Sequence, residues 1–160
     1  MINKLKEMFE MQKVLDNAIY KEHNTKFDEY KCRIAVLDEV GELIHELKGN
    51  WCWWKKTQKP VDRDKVLEEL VDVYHFVLSY EYNANDSYFA CNTVNYDTGY
   101  EAWVQGLSND LCLIYAVLAQ RPRIEAMVVL TRQLGFTFDD VYNAYIKKNA
   151  TNFERLANGY

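Results

Sequence analysis

Apolar residues recur at intervals of three and four positions along most of this chain, which is the spacing of a helix face rather than of a strand. Only two prolines and six glycines occur in 160 residues, so there are few points at which a helix must end. The spacing therefore predicts an all-α fold, a compact bundle of five or six helices. Because no segment has the length of a linker, residues 1–160 are expected to form a single domain.

Capping residues and breaks in the apolar pattern set the expected limits of these helices. The predicted helices are Asn3–Tyr20, Asp28–Lys48, Asp64–Tyr82, Glu101–Leu118, Arg123–Leu134 and Phe138–Leu156. Gly49 follows the end of the second helix, and Asp62 or Asp64 is expected to cap the third. The polar segment 83–99 is rich in turn-forming residues and is predicted to be a loop.

Composition and charge exclude several classes of protein. Hydrophobic residues make up 49% of the chain, yet no apolar run approaches the roughly 18 residues that span a bilayer, and the N-terminus lacks the apolar core of a secretory signal. A cytoplasmic protein is therefore expected. The cysteines Cys32, Cys52, Cys91 and Cys112 form no C-x-x-C pair, and in the cytoplasm we expect them to be free thiols. A net charge of −5 disfavours nucleic acid as a partner.

Two helices carry the same local pattern of acidic residues. The segment EVGELIHEL begins at Glu39 and ELVDVYHFV begins at Glu69, and both have acids at their first and fourth positions. At about 100° per residue, the acids of each segment fall on one narrow stripe beside the apolar face. We therefore expect Glu39, Glu42 and a further candidate, Glu46, to point toward Glu69 and Asp72 when the apolar faces of the two helices pack.

Carboxylates gathered in a partly dry space repel one another and lose hydration, so a positive charge must offset the cost. Divalent hard cations accept oxygen ligands and keep positions for water and phosphate. We expect Mg²⁺, with Mn²⁺ as the substitute. A single E-x-x-E motif is usually an ordinary solvated helix face, but two copies in matching phase favour a metal site.

An unusual aromatic segment, GNWCWWKKTQK, joins the two acidic helices. A planar base needs stacking surfaces and a phosphate needs cations, so Trp51, Trp53, Trp54, Lys55 and Lys56 are candidates for one wall of a nucleotide site. The alternative is that the tryptophans only plug the open end of the helical hairpin.

The last predicted helix has a polar stripe formed by Tyr145, Lys148, Asn152 and Arg155. Lysine and arginine suit phosphate oxygens, and these four residues can reach one ligand. A solvated cationic face that complements the helix dipole is the alternative interpretation.

In the first helix, Gln12, Asp16 and Asn17 are polar residues among apolar neighbours, and amide side chains can read the edge of a base. Isolated amides are more often surface residues. His45 and His75 are more typical of packing or hydrogen-bonded histidines than of metal ligands, because the candidate ligands are hard oxygens.

These motifs together resemble the dimeric dUTPases, within the all-α nucleotide pyrophosphatases. The resemblance covers Gln12–Tyr160 and includes E-x-x-E, a 26-residue interval, E-x-x-D followed by YHF, and a closing Y-x-x-K-x-x-x-N-x-x-R-x-x-x-G-Y. The acidic pair is shared with MazG-like enzymes, whereas the aromatic loop and the C-terminal motif point to the dUTPase branch. The short chain resembles phage or bacterial members.

The resemblance implies Mg²⁺-dependent hydrolysis of dUTP and dUDP to dUMP by a homodimer, which limits uracil incorporation into DNA. The implied catalytic and metal-binding residues are Glu39, Glu42, Glu69 and Asp72. The implied phosphate contacts are Lys56, Lys148, Arg155 and Tyr145. Base recognition would fall to Gln12, Asn17, Trp53 and Trp54, and the deoxyribose would lie near His75, Phe76 and Asn152.

Two other functions remain open from the sequence. A MazG-like pyrophosphatase would share the chemistry but act on other or several nucleoside triphosphates. A phage protein of this kind could instead serve mainly to bind a repressor of a mobile genetic element, in the host cytoplasm.

Overall fold

The structure, a computed structural model, describes residues 1–48, 51–84 and 122–159. Within these ranges it contains five helices: α1 (Ile2–Glu22), α2 (Glu29–Leu47), α3 (Arg63–Ala84), α4 (Ile124–Gln133) and α5 (Phe138–Ala157). The same ranges contain no strand, so the all-α prediction is confirmed. None of the described helices is long and apolar enough to cross a membrane. The single-domain interpretation stays a prediction.

The expected helix limits within the described ranges differ from the observed ones by no more than two residues. The largest differences are at the ends of α1 and α3. Asn83 and Ala84 belong to α3 rather than to the expected loop, and the Asn83 amide donates to the Ser79 carbonyl oxygen in the last turn. The predicted helix Glu101–Leu118, the rest of the predicted loop, Gly49, Cys91 and Cys112 lie outside the described residues.

Side-chain caps explain why several helices begin where they do. Asp28 and Asp62 each accept hydrogen bonds from two backbone N–H groups in the first turns of α2 and α3. Thr137 and Asp140 form a reciprocal capping box at the start of α5. Gly135, with φ +76°, makes the turn between α4 and α5 in a conformation that glycine adopts without strain.

The core is centred on α3, which packs against all four other described helices. Helices α2 and α3 form an antiparallel hairpin, and α1 and α5 cover another side of α3. Val40 and Leu43 from α2 are buried with Leu70, Val73 and Val77 from α3. Because the acidic stripes border these apolar faces, packing the faces brings the acids of the two helices together.

Candidate active site

Three carboxylates from the two acidic helices form one cluster. Glu39 on α2 and Glu69 and Asp72 on α3 each offer an oxygen atom, and these atoms all lie within 4.8 Å of one another. All three residues are half-buried. We call these residues the acid cluster.

Burial and mutual repulsion both act on the cluster's protonation. Burial raises the pKa of Glu39 to about 7, and the charges of Asp72, Glu42 and Glu69 add to the shift. Burial also raises the pKa values of Glu69 and Asp72, and the charge of Glu42 adds to the shift of Glu69. Such a group is stabilised by a cation, and its oxygen donors suit a hard divalent ion.

Glu42 and Glu46, the other two acids predicted for this site, lie outside the acid cluster. Glu42 is exposed, but its charge acts on both Glu39 and Glu69, so it borders the acid cluster. Glu46 is one turn further along α2 and forms an ion pair with Lys48 at 2.9 Å. It is not among the three acids whose oxygens come together.

Helix α5 places two cations beside the acid cluster. The Lys148 ammonium donates to Asp72 Oδ2 at 2.6 Å and lies 3.5 Å from Glu68 Oε1. Its hydrogen bond and charge counter the effect of burial on the pKa of Asp72, and Arg155 contributes a smaller lowering. The stripe on α5 therefore meets the acidic stripe on α3, and the role of its cations as phosphate contacts stays a prediction.

A cavity of about 330 Å³ opens between α1, α3 and α5, with Glu39 and Asp72 among its lining residues. We call it the nucleoside cavity, after the ligand that the family resemblance implies for its lining residues. The predicted site residues that line it, apart from these two acids, are Gln12, His75, Phe76, Lys148, Asn152 and Arg155. The structure thus brings residues from four helices together around one space of the size that small-molecule sites have.

A buried hydrogen-bond network forms the floor of this cavity. Gln12 Nε2 donates to Asp16 Oδ1 at 2.8 Å, while Gln12 Oε1 accepts from the Tyr145 hydroxyl at 2.7 Å and bonds His75 Nδ1 at 2.8 Å. Ser79 Oγ donates to the other Asp16 oxygen at 2.7 Å. Since a carboxylate accepts and does not donate, Asp16 fixes which end of the Gln12 amide faces His75.

The same hydrogen bonds determine the tautomer of His75, and burial determines its protonation. Its Nδ1 must carry the proton, because Gln12 Oε1 can only accept. Burial, followed by the charge of Lys148, lowers the pKa of His75 to about 3, so the imidazole is neutral. Its Nε2 is therefore a buried acceptor, and it has no hydrogen-bond partner in the described part of the chain.

Several predicted site residues lie away from the nucleoside cavity. Asn17 is exposed on α1, and Lys56 is exposed in the loop between α2 and α3. Trp53 and Trp54 are 86% and 57% exposed and contact each other edge to face at 5.8 Å. None of these four lines the cavity, and their proposed roles stay predictions.

Tyr145 is fully buried and does not line the cavity. Its ring stacks on the imidazole of His75, with the ring centroids 4.2 Å apart. Its role as a phosphate contact also stays a prediction. Conversely, Asp16 and Ser79 line the cavity, although neither was a candidate ligand from sequence. Asp16 follows Gln12 by four positions and Ser79 follows His75 by four, so helical spacing alone could have found both.

An all-α bundle with clustered carboxylates, adjoining cations and a small-molecule cavity offers the groups that a metal-dependent hydrolase of phosphate compounds requires. A family model described as dUTPase matches residues 4–160, nearly the whole chain. The chain therefore belongs to the all-α dUTPase family, and its activity is the hydrolysis of dUTP. No curated protein matches it.

Proposed function

We propose that the protein hydrolyses dUTP and dUDP to dUMP in a Mg²⁺-dependent reaction, with Mn²⁺ as a substitute ion. The observation that carries this proposal is the meeting of Glu39, Glu69 and Asp72 beside the nucleoside cavity. These three residues and the neighbouring Glu42 would hold the metal. A bound divalent ion supplies Lewis acidity and neutralises charge on the phosphate oxygens.

The chain's own residues orient the reacting groups. Glu39 or Glu42 orients the attacking water, whose oxygen forms a new bond to phosphorus while the bond to a bridging oxygen breaks. Attack falls on the β-phosphorus, so dUMP is the leaving group. The attacked phosphates are released as pyrophosphate from dUTP or as orthophosphate from dUDP, and one proton passes to solvent. Lys148 and Arg155 line the cavity and lie close enough to Asp72 to lower its pKa. From this position they would neutralise charge on the phosphates. Lys56 would join them if its loop moved.

Recognition of the nucleoside depends on the buried network. His75 Nε2 accepts a hydrogen bond from a substrate hydroxyl or N–H, which gives this buried atom the partner it needs. Gln12 has one N–H left to donate to the base, because Asp16 accepts from the other and His75 and Tyr145 occupy its oxygen. Phe76 and Asn152 line the cavity and would lie beside the deoxyribose. Trp53 or Trp54 would cover the base after the loop moves inward.

A nucleotide panel tests this proposal, with Mg²⁺ present and release of pyrophosphate and orthophosphate measured. We expect dUTP to be turned over at least about tenfold faster than dCTP, because cytosine leaves buried polar groups unpaired. UTP and dTTP should be disfavoured, and dUDP should yield dUMP and orthophosphate. Equal rates on all four deoxynucleoside triphosphates would favour the MazG-like alternative. If no nucleotide were hydrolysed, the binding of a repressor would be the remaining alternative.

We also propose a homodimer. Tyr30, Ile34 and Leu37 on α2 are exposed at offsets of zero, four and seven, so they form one apolar stripe. A second copy would bury this stripe through a two-fold interface. Sedimentation should show a dimer at micromolar concentration and a monomer for Ile34→Glu, with Lys31→Glu on the same helix as the control. A monomeric wild-type protein at this concentration would refute the proposed homodimer.

A further inference from the structure

The Tyr145 side chain on α5 does not line the nucleoside cavity, but it touches two residues that do. Its hydroxyl oxygen lies 2.7 Å from Gln12 Oε1 on α1 and 3.2 Å from the backbone carbonyl oxygen of Met8. Its ring stacks on the His75 imidazole of α3, with the two planes 18° apart. Tyr145 therefore joins three helices at a point directly behind the wall of the cavity.

The Tyr145 hydroxyl acts as the donor in these contacts, because amide and backbone carbonyl oxygens can only accept. Burial raises the pKa of this hydroxyl, and the charge of Asp16 adds to the shift, so the proton stays in place. The single proton favours Gln12, whose oxygen is the nearer of the two acceptors. Gln12 Oε1 thus accepts from Tyr145 on one side and from His75 Nδ1 on the other.

The Gln12 amide is held by groups from three helices. Asp16 on α1 accepts one of its N–H groups, while Tyr145 on α5 and His75 on α3 donate to its oxygen. These bonds leave one N–H, on a residue that lines the nucleoside cavity. This N–H is therefore the group of the amide that a ligand can use.

A fixed N–H distinguishes an acceptor from a donor at one place on a ligand. Uracil has a carbonyl oxygen where cytosine has an amino group, so an N–H aimed there pairs with uracil and meets another donor in cytosine. The discrimination depends on how narrowly the N–H is held, because an amide that can shift finds another acceptor on the wrong base. Holding the amide is thus a task separate from contacting the base.

We propose that Tyr145 is a positioning residue for base selection, whose hydroxyl holds the Gln12 amide so that its free N–H meets the uracil carbonyl that cytosine lacks. This inference rests on the proposed function and deepens it, because it concerns the base that the same site selects. Complete burial of Tyr145 and its stacking on His75 keep the hydroxyl in one place before a substrate arrives. Tyr145 acts through Gln12 and does not need to touch the substrate.

Tyr145→Phe tests the proposal, because it keeps the stacked ring and removes only the hydroxyl. The ratio of kcat/KM for dUTP to that for dCTP should fall by about fivefold. Tyr74→Phe is the matched control: its hydroxyl is also fully buried and lies 2.8 Å from Thr131 Oγ1, but Tyr74 does not line the cavity. The control should keep the wild-type ratio. A Tyr145 hydroxyl that contacted the phosphates would slow both substrates equally, and such an unchanged ratio would overturn the proposal.

A double variant shows whether Tyr145 acts through Gln12. In a Gln12→Met protein the amide is absent, so the further change Tyr145→Phe should alter the ratio by less than about twofold. If Tyr145→Phe causes the same loss with and without the Gln12 amide, the two residues act independently and the positioning role is wrong.

Binding of the nucleoside monophosphates separates this inference from the proposed function, because it requires no turnover. In calorimetric titrations the wild type should bind dUMP more tightly than dCMP, and Tyr145→Phe should reduce this preference by about fivefold. A wild-type protein that prefers dUMP but hydrolyses no dUTP would refute the proposed function alone. A wild type without this preference, or a Tyr145→Phe protein that keeps all of it, would refute the positioning role.

Discussion

The Lys148 ammonium on α5 lies 2.6 Å from Asp72 Oδ2 on α3, and this contact joins the acid cluster to the cationic wall of the nucleoside cavity. Both side chains are largely buried, with 18% and 15% of their surfaces exposed. Removing one partner of such a pair leaves the other charge without compensation. The pair therefore contributes to the stability of the fold as well as to the site.

Lys148→Met should lower the free energy of unfolding by about 1 to 3 kcal/mol when measured by denaturant titration in EDTA. The loss should be smaller with Mg²⁺, because a bound divalent ion compensates Asp72 in the lysine's place. We expect kcat/KM for dUTP to fall about a hundredfold. Lys147→Met, at the neighbouring exposed position, is the control. The same loss of stability with and without Mg²⁺ would contradict the prediction.

Glu39→Gln should abolish turnover, with a fall of at least about a hundredfold, while it stabilises the protein in EDTA by about 1 kcal/mol. The reason is that the Glu39 carboxylate is half-buried beside Asp72, Glu42 and Glu69, so a neutral amide removes repulsion. Asp38→Asn alters an exposed acid on the same helix and should change neither quantity much. Thermal unfolding and dUTP turnover measure both effects, and a less stable Glu39→Gln protein would argue against the repulsion.

Asp16→Ala should lower the preference for dUTP over dCTP by about tenfold, because Gln12 loses the acceptor that fixes its amide. Asp16→Asn provides the matched comparison: its oxygen can still accept from Gln12, and its amide can donate to Ser79 Oγ. The ratio of kcat/KM values for the two nucleotides is the measurement. If both variants keep the wild-type ratio, Asp16 supports only the fold.

The stability of the protein should depend on pH through Glu81. Burial raises the pKa of Glu81 to about 7, Glu125 adds to this shift, and the Ile124 backbone N–H and the Arg123 charge oppose it. The unfolded chain titrates near 4.5, so between these values the folded protein binds more protons. The free energy of unfolding therefore falls as pH rises through this range.

Glu81→Gln keeps an acceptor for the Ile124 N–H, which lies 3.1 Å from Glu81 Oε1, but removes the titration. Its stability should fall less steeply than that of the wild type between pH 4.5 and 7, with a difference of up to about 3 kcal/mol at the upper end. Other buried acids titrate in both proteins, so comparing the two curves isolates Glu81. If stability falls equally steeply with pH in both proteins, ionising Glu81 costs the folded protein little free energy.

Much of the fold followed from local spacing. The intervals of three and four residues predicted the helices within the described ranges, because helix period and capping depend on neighbours in the chain. The same period placed Glu39 and Glu42 on one face of α2, and Glu69 and Asp72 on one face of α3. Since these acids border apolar stripes, the approach of Glu39 to Glu69 and Asp72 across the hairpin could be predicted from the sequence alone.

Contacts between distant helices could not be predicted in this way. Tyr145 and Lys148 share a stripe on α5, yet the tyrosine hydroxyl bonds Gln12 in the core while the lysine reaches Asp72 beside the cavity. Likewise, helical spacing indicates that Asp16 can reach the Gln12 amide, but only packing showed that His75 and Tyr145 bind its oxygen. Helical period determines which residues share a face, whereas the rotation and separation of packed helices decide what each side chain meets.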